Sequence, residues 1–173
     1  MRIIAGTHRG TRIFAPKGRE TRPTSDRARE AAFNLIGPVD GARVLDLYAG
    51  SGAMGLEALS RGAATVTFVE GERDAVRTIE RNLDKLRLTG ARVVHGDAIR
   101  FLGTDSGTYD LVLCDPPYDR FDATALGRYL PARLAPAGLV VIETSAREPE
   151  PELPLSLRTS RRYGAARITL FEP

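Results

Sequence analysis

From Arg43 onward, short apolar runs alternate with amphipathic stretches, and that alternation leaves few folds open. Arg43-Val44-Leu45-Asp46-Leu47, Thr65-Val66-Thr67-Phe68-Val69, Arg92-Val93-Val94-His95, Tyr109-Asp110-Leu111-Val112-Leu113-Cys114 and Gly138-Leu139-Val140-Val141-Ile142-Glu143 each have the length and composition of one strand. Between them lie helical segments. Ala53 through Arg61 is closed by Gly62, a second carries the stripe Val76, Ile79, Leu83 and Leu86, a short third runs to Leu102, and a fourth covers residues 123–134. Repeated strand–helix units predict an α/β fold, Rossmann-like, with a doubly wound and mostly parallel sheet. The tail follows another rule. Leu157–Tyr163 and Ala166–Phe171 flank Gly164 with no helix between them, so they must form an antiparallel hairpin. The Pro/Glu-rich residues 147–154 read as a loop.

Ahead of the alternation, Arg2–Gly6 and Gly10–Phe14 flank a short link and predict a small basic β-hairpin arm. A helix follows, capped by Thr24 or Ser25, with Ala28, Ala31, Ala32, Leu35 and Ile36 on its apolar face and Gly37-Pro38 at its end. The expected division is an arm over residues 1–21 and a domain over 22–173, with the domain able to fold without the arm. Residues 1–30 carry eight Arg/Lys against three Asp/Glu, while the middle of the chain is acidic and the last sixteen residues are basic again. Such an asymmetry suggests a polyanion contacted by the ends, and Arg9, Arg12, Lys17, Arg19 and Arg22 are the candidate phosphate contacts.

With 173 residues and 42% hydrophobic content, one core is expected. No run of eighteen apolar residues exists, the start of the chain is too weakly apolar for a secretory signal, and Cys114 is the single cysteine. The expectation is a cytoplasmic monomer with no membrane segment and no metal. Cys114 lies inside an apolar run and His95 at the end of one, and neither has a catalytic partner nearby in sequence.

Two motifs carry chemistry. Gly50-x-Gly52-x-x-Gly55 fits a nucleotide-binding turn, and Glu70, twenty residues on, is placed to take ribose hydroxyls. Asp46 changes the reading, since a carboxylate at the end of the first strand repels a pyrophosphate but suits a ligand with an ammonium group. S-adenosylmethionine has that group and no phosphate. The turn Gly50, Ser51 and Gly52 would hold it, and Asp97 and Ala98 would face its adenine, although Asp97 also reads as a helix N-cap. Pro23 and Thr24, where the arm joins the body, could close over the cofactor.

The second motif is Asp115-Pro116-Pro117-Tyr118, directly after an apolar strand. Prolines lack an N–H and stiffen the residue before them, so the Asp115 carboxylate and the Pro116 carbonyl would stand as fixed acceptors at the sheet's ligand-binding edge. They suit an exocyclic amine on a nucleobase, with Tyr118 stacking on the base after it leaves its helix.

These motifs and their surroundings closely resemble bacterial 16S ribosomal RNA guanine-N2 methyltransferases of the RsmD type. The resemblance rests on Asp46–Gly52, Gly55–Gly62, Arg2-Ile3-Ile4, Arg22-Pro23-Thr24 with Asp26, Arg27, Arg29 and Glu30, then Asp115–Tyr118 and Arg162-Tyr163-Gly164, and it spans the whole chain. It implies a class I methyltransferase fold, S-adenosylmethionine as donor, the small ribosomal subunit as partner, a catalytic Asp115–Tyr118, and a cofactor site lined by Asp46, Gly50, Gly52, Glu70, Asp97 and Ala98. A DNA adenine-N6 methyltransferase is the alternative, because the same tetrapeptide serves that amine, but the chain has little room for a DNA target-recognition domain. A nicotinamide-dependent dehydrogenase and a non-catalytic RNA-binding module are disfavoured by Asp46 and by the intact tetrapeptide respectively.

Overall fold

β1 (Arg43–Leu47) is an interior strand of a seven-stranded sheet, its side chains buried on both faces and with a parallel neighbour on each side. The computed structural model describes residues 1–16, 24–117 and 121–173. Beyond β1 come β2 (Thr65–Glu70), β3 (Ala91–His95), β4 (Tyr109–Cys114), β5 (Leu134–Ser145), β6 (Ser156–Tyr163) and β7 (Ala166–Glu172), in the spatial order β3-β2-β1-β4-β5-β7-β6. The first five are parallel, and β7 and β6 close the sheet antiparallel, as the missing helix at Gly164 predicts. The direction of winding reverses between β1 and β4. In an open parallel sheet, that crevice at the carboxyl ends of the strands is where ligands bind.

Among the described residues five α-helices cover the sheet: α1 (Thr24–Ile36), α2 (Ala53–Ser60), α3 (Arg73–Leu86), α4 (Ala98–Thr104) and α5 (Ala123–Tyr129). Alternate strand residues serve opposite layers. Val44, Leu111 and Leu113 join α1, α2 and α3, whereas Leu45, Leu47, Val112 and Cys114 join α4 and α5. Within the described residues no helix is long and apolar enough to cross a membrane.

One element differs from expectation. The helix expected over 123–134 ends at Tyr129, and Leu130–Arg133 form a 3₁₀ turn. Pro131 is the cause, since it lacks an N–H and its ring would clash with the preceding helical turn. β5 then begins at Leu134 rather than Gly138, and an irregularity between its pairs with Tyr109 and Leu111 absorbs the extra residues.

The amino-terminal arm is a hairpin held by few bonds. Arg2 and Arg12 form an isolated bridge, with the Ile3 amide on the Thr11 carbonyl at 3.0 Å and the Gly10 amide on the Ile3 carbonyl at 2.8 Å. It does not stand apart from the body. Ile3 is fully buried and Ile13 nearly so, both in the core layer of α1–α3. Glu57 of α2, 0% exposed, accepts from the amides of Ile4 and Ala5 at 2.8 and 2.9 Å. The same carboxylate meets Arg61 Nε at 2.8 Å and the buried Arg29 Nε at 3.6 Å. Arg29 also donates to the Arg2 carbonyl and to Asp26. A boundary at residue 21 is therefore a change of sequence pattern and not of packing, and the expected independence of the domain from the arm gives way to a shared core.

Replacing Glu57 with Ala leaves two arm amides without their acceptor and takes from the buried Arg29 guanidinium one of its two carboxylates. The expected cost is about 3–5 kcal/mol, the range for breaking a buried ion pair. Chemical denaturation measures it, and a loss below about 1 kcal/mol, the range of a surface pair, would contradict this account of the arm.

Candidate functional site

Where β1 ends, the chain turns sharply over α2. Tyr48 adopts φ +57°, Gly50 φ +57° and Gly52 φ +79°, and of these only the tyrosine lacks glycine's freedom in that region. Such a conformation persists only where the surroundings impose it. Here the Ala49 amide donates to the Val69 carbonyl at 3.2 Å and the Gly52 amide to the Ala49 carbonyl at 2.7 Å. Two carboxylates complete the clamp: Glu70 Oε2 accepts from the Gly50 amide at 2.7 Å, and Asp46 Oδ2 from the Gly55 amide at 2.9 Å. Glu70 Oε1 takes the Glu72 amide at 2.8 Å. At Gly55 the reason for glycine is space, since a Cβ there would lie 2.3 Å from a ring carbon of Phe68. The amino end of α2 can therefore rest directly on β2.

The charge of this turn is negative. Asp46 is buried, and desolvation holds its carboxyl well above the usual range, against the Gly55 amide, with Asp115 and Glu70 adding to the rise. Three carboxylates thus bear on one small region. Such a set attracts a cationic group and repels a pyrophosphate, so these residues fit S-adenosylmethionine better than a dinucleotide. Asp97 is the N-cap of α4, accepting from the Arg100 amide at 2.8 Å, and remains exposed. Ala98 is buried beside it. Tyr48 is half-buried in the same corner, its phenol pushed up by burial and then by Cys114, Asp97 and Asp122.

β4 delivers the second motif. Leu111–Cys114 are buried, Asp115 emerges exposed, Pro116 is buried again and Pro117 half-buried. A narrow crevice beside the strand is lined by Asp46, Met54, Cys114, Asp115 and Glu143, so the fold brings the motif next to the turn. Burial pushes the Cys114 thiol up, with Asp115 and Asp46 adding to it, which keeps it a core residue. His95 Nε2 pairs with the Gly71 carbonyl at 3.0 Å. Among the described residues no group of three or more His, Cys, Asp or Glu could hold a metal ion. Tyr118, Lys17, Arg19, Arg22 and Pro23 lie outside the described residues, and Thr24 is the first residue of α1.

Arg9 and Arg12 are exposed on the arm. Beside them Phe14, 38% exposed, lies under Arg81 at 4.1 Å and Lys85 at 4.7 Å from its ring centre. Two arginines counted in the basic ends are not on the surface, because Arg29 and Arg167 are buried. Asn82 was missed by the sequence reading. It donates to the carbonyls of Ser51 and Phe14 at 3.1 and 3.0 Å and accepts from the Phe14 amide at 2.7 Å, joining the arm to the glycine turn. Its signal was a polar residue on the otherwise apolar stripe of α3. Glu57 had a similar one, as the lone charge in an apolar helix.

The family model "Conserved hypothetical protein 95" matches residues 1–172. The ribosomal RNA small subunit methyltransferase D of Haemophilus influenzae is 34% identical over 157 residues, 86% of this chain and 81% of that protein. The chain belongs to the ribosomal RNA small subunit methyltransferase D family. The family's Escherichia coli protein is 44% identical over 121 residues, a match spanning 69% of this chain and 61% of that protein. The solved structure of the Escherichia coli protein YhhF superposes with a TM-score of 0.88 at 36% identity, covering 99% of this chain and 96% of that one. A Thermus thermophilus 16S rRNA N2 methyltransferase, RsmC, solved with AdoMet and guanosine, is 25% identical with a TM-score of 0.69, and covers 90% of this chain and 44% of that one. The Rossmann-like class I methyltransferase fold is thus shared with proteins of this family and beyond it.

Because folding raises the Asp46 pKa, the folded chain holds this proton more tightly than the unfolded chain. Its contribution to stability is fully present below the ordinary value of 3.8 and is lost as the pH rises through the folded value. Asp46→Asn keeps an acceptor for the Gly55 amide and removes that dependence. Denaturation at about pH 4 and about pH 8 should show the variant gaining on the unmodified protein at the higher pH. A difference that does not change with pH would contradict the assignment.

Proposed function

We propose that this protein transfers the methyl group of S-adenosylmethionine to the exocyclic N2 amine of a guanine in small-subunit ribosomal RNA. The observation that carries the reading is that Asp115 shares one crevice at the sheet edge with Asp46, a carboxylate of the clamped glycine turn. The family's named members and the guanosine complex of RsmC support the choice of rRNA and of guanine N2. Such a protein works where ribosomes are assembled, in the cytoplasm.

The residues divide the work. When bound, S-adenosylmethionine supplies a methyl group made electrophilic by its sulfonium. Asp46 and Glu70 fix the turn that receives it, and their negative charge favours a cationic ligand. Asp97, Ala98 and Tyr48 form the corner suited to its adenine. The guanine amine is a poor nucleophile because its lone pair is delocalised into the ring. The Asp115 carboxylate and Pro116 carbonyl accept its two hydrogens, which favours a pyramidal nitrogen with its lone pair aimed at the methyl. Asp115 then takes the proton released as the N–C bond forms. Rate enhancement comes from in-line positioning and fixed dipoles, which cost no reorganisation during transfer. Tyr118 is the residue we assign to stacking on the base, and Pro23 and Thr24 to closing over the cofactor. Arg9, Arg12 and the exposed Phe14, together with Lys17, Arg19 and Arg22, would hold rRNA beside the site.

Labelled S-adenosylmethionine and undermethylated small subunits test this. The expected product is N2-methylguanosine, and N6-methyladenosine would overturn the base assignment. Asp115→Ala should lower kcat roughly 100-fold or more with cofactor affinity within a few fold, since Asp115 acts on the amine. Near-normal turnover would make Asp115 structural.

A further inference from the structure

A second cleft, of about 290 Å³, opens beside Pro116. Its lining includes Pro116, Phe121, Thr144, Glu148, Pro151 and Glu152. The size is near the lower end for small-ligand sites, roughly 300 Å³, and suits one base better than a whole nucleotide cofactor. Prolines and a phenylalanine provide flat apolar walls for an aromatic face. Thr144 stands near the carboxyl end of β5, the ligand-binding edge of the sheet. It is only 4% exposed, and its hydroxyl has no hydrogen-bond partner. A buried hydroxyl left unpaired is a cost to folding and points to a partner that arrives later.

The opposite wall is the Pro/Glu-rich loop. It is held in place by the buried Arg167 of β7, whose guanidinium donates to the Glu148 carbonyl at 3.4 Å and lies 3.9 Å from the Glu150 carboxylate. Glu148 and Glu152 line the cleft from this anchored loop. Carboxylates repel a phosphate and accept from N–H groups. Guanine carries an N1–H next to the N2 amine that Asp115 and Pro116 would hold, whereas adenine carries a bare N1 acceptor next to its N6 amine.

We propose that this cleft receives the target guanine, with the Thr144 hydroxyl bonded to the base and the Glu148 and Glu152 carboxylates selecting the N1–H that adenine lacks. The proposal rests on the guanine-N2 methyltransferase reading and adds the groups that choose the base. The catalytic motif holds an amine of either purine, and the cleft distinguishes them.

The test uses the full chain, undermethylated small subunits, and subunits reconstituted with 2-aminopurine in place of the methylated guanine. This analogue keeps the 2-amine but has no N1–H. The unmodified protein should prefer guanine strongly. Thr144→Val, close in shape, should lower kcat/KM for guanine about tenfold or more, with S-adenosylhomocysteine affinity and thermal stability unchanged. Thr144→Ser, which keeps the hydroxyl, should restore most of it. A Glu148→Gln, Glu152→Gln double variant should narrow the preference for guanine over 2-aminopurine, because an amide can donate to a bare N1. Normal methylation of guanine with both variants unchanged would overturn the cleft assignment alone. If the unmodified protein bound S-adenosylhomocysteine yet methylated no guanine, the functional reading and the cleft would fall together.

Discussion

Two buried or nearly buried carboxylates accepting backbone amides set the geometry on which the site depends. Glu70 on the Gly50 amide and Asp46 on the Gly55 amide join the backbone bonds of Ala49 and Gly52 in holding Tyr48, Gly50 and Gly52 in left-handed conformations. The same groups give the turn its electrostatic character. Burial of the Asp46 carboxyl, with Asp115 and Glu70 nearby, is unfavourable for its charged form, as its raised pKa shows. A binding site accepts such a cost when its ligand is positive. Stability and recognition are thus opposed at one residue, which is the usual situation at a functional site.

The arm extends this arrangement across the molecule. Glu57 binds it to α1 and α2, and Asn82 links its Phe14 backbone to the carbonyl of Ser51 in the glycine turn. A segment that would contact RNA is therefore connected through one buried amide side chain to the segment that would hold the methyl donor. The expected separation of an RNA arm from a catalytic domain does not match this packing. The exposed face of the arm, with Arg9, Arg12 and Phe14, remains directed at solvent.

Most of the architecture was legible in the sequence because the strands are short, buried and separated by helices of clear period. Four of the five parallel strands and both antiparallel ones fall where the apolar runs place them, and β5 begins four residues early. The miss at residues 130–138 came from weighting helical periodicity over Pro131. The site was legible wherever a motif fixes backbone geometry, as at Gly50–Gly55 and Asp115–Pro117. The jobs of individual carboxylates were not. Asp46 and Glu70 read as ligand groups, yet both already accept turn amides, and Asp97 serves as the helix cap that had been its other reading. A carboxylate has several acceptor positions, and spacing alone does not say which are taken by the chain itself. Glu57 and Asn82 left only a faint local trace, one polar residue on an apolar helix face, for a related reason. Their importance lies in long-range contacts, which a local pattern does not encode.

The central claim is that a clamped, acidic glycine turn selects a phosphate-free, cationic nucleoside donor. Calorimetric titration of the unmodified protein with S-adenosylmethionine and, separately, with NADH tests it most directly. The account predicts saturable one-site binding of S-adenosylmethionine and no measurable heat from NADH. Tight binding of NADH with none of S-adenosylmethionine would contradict it.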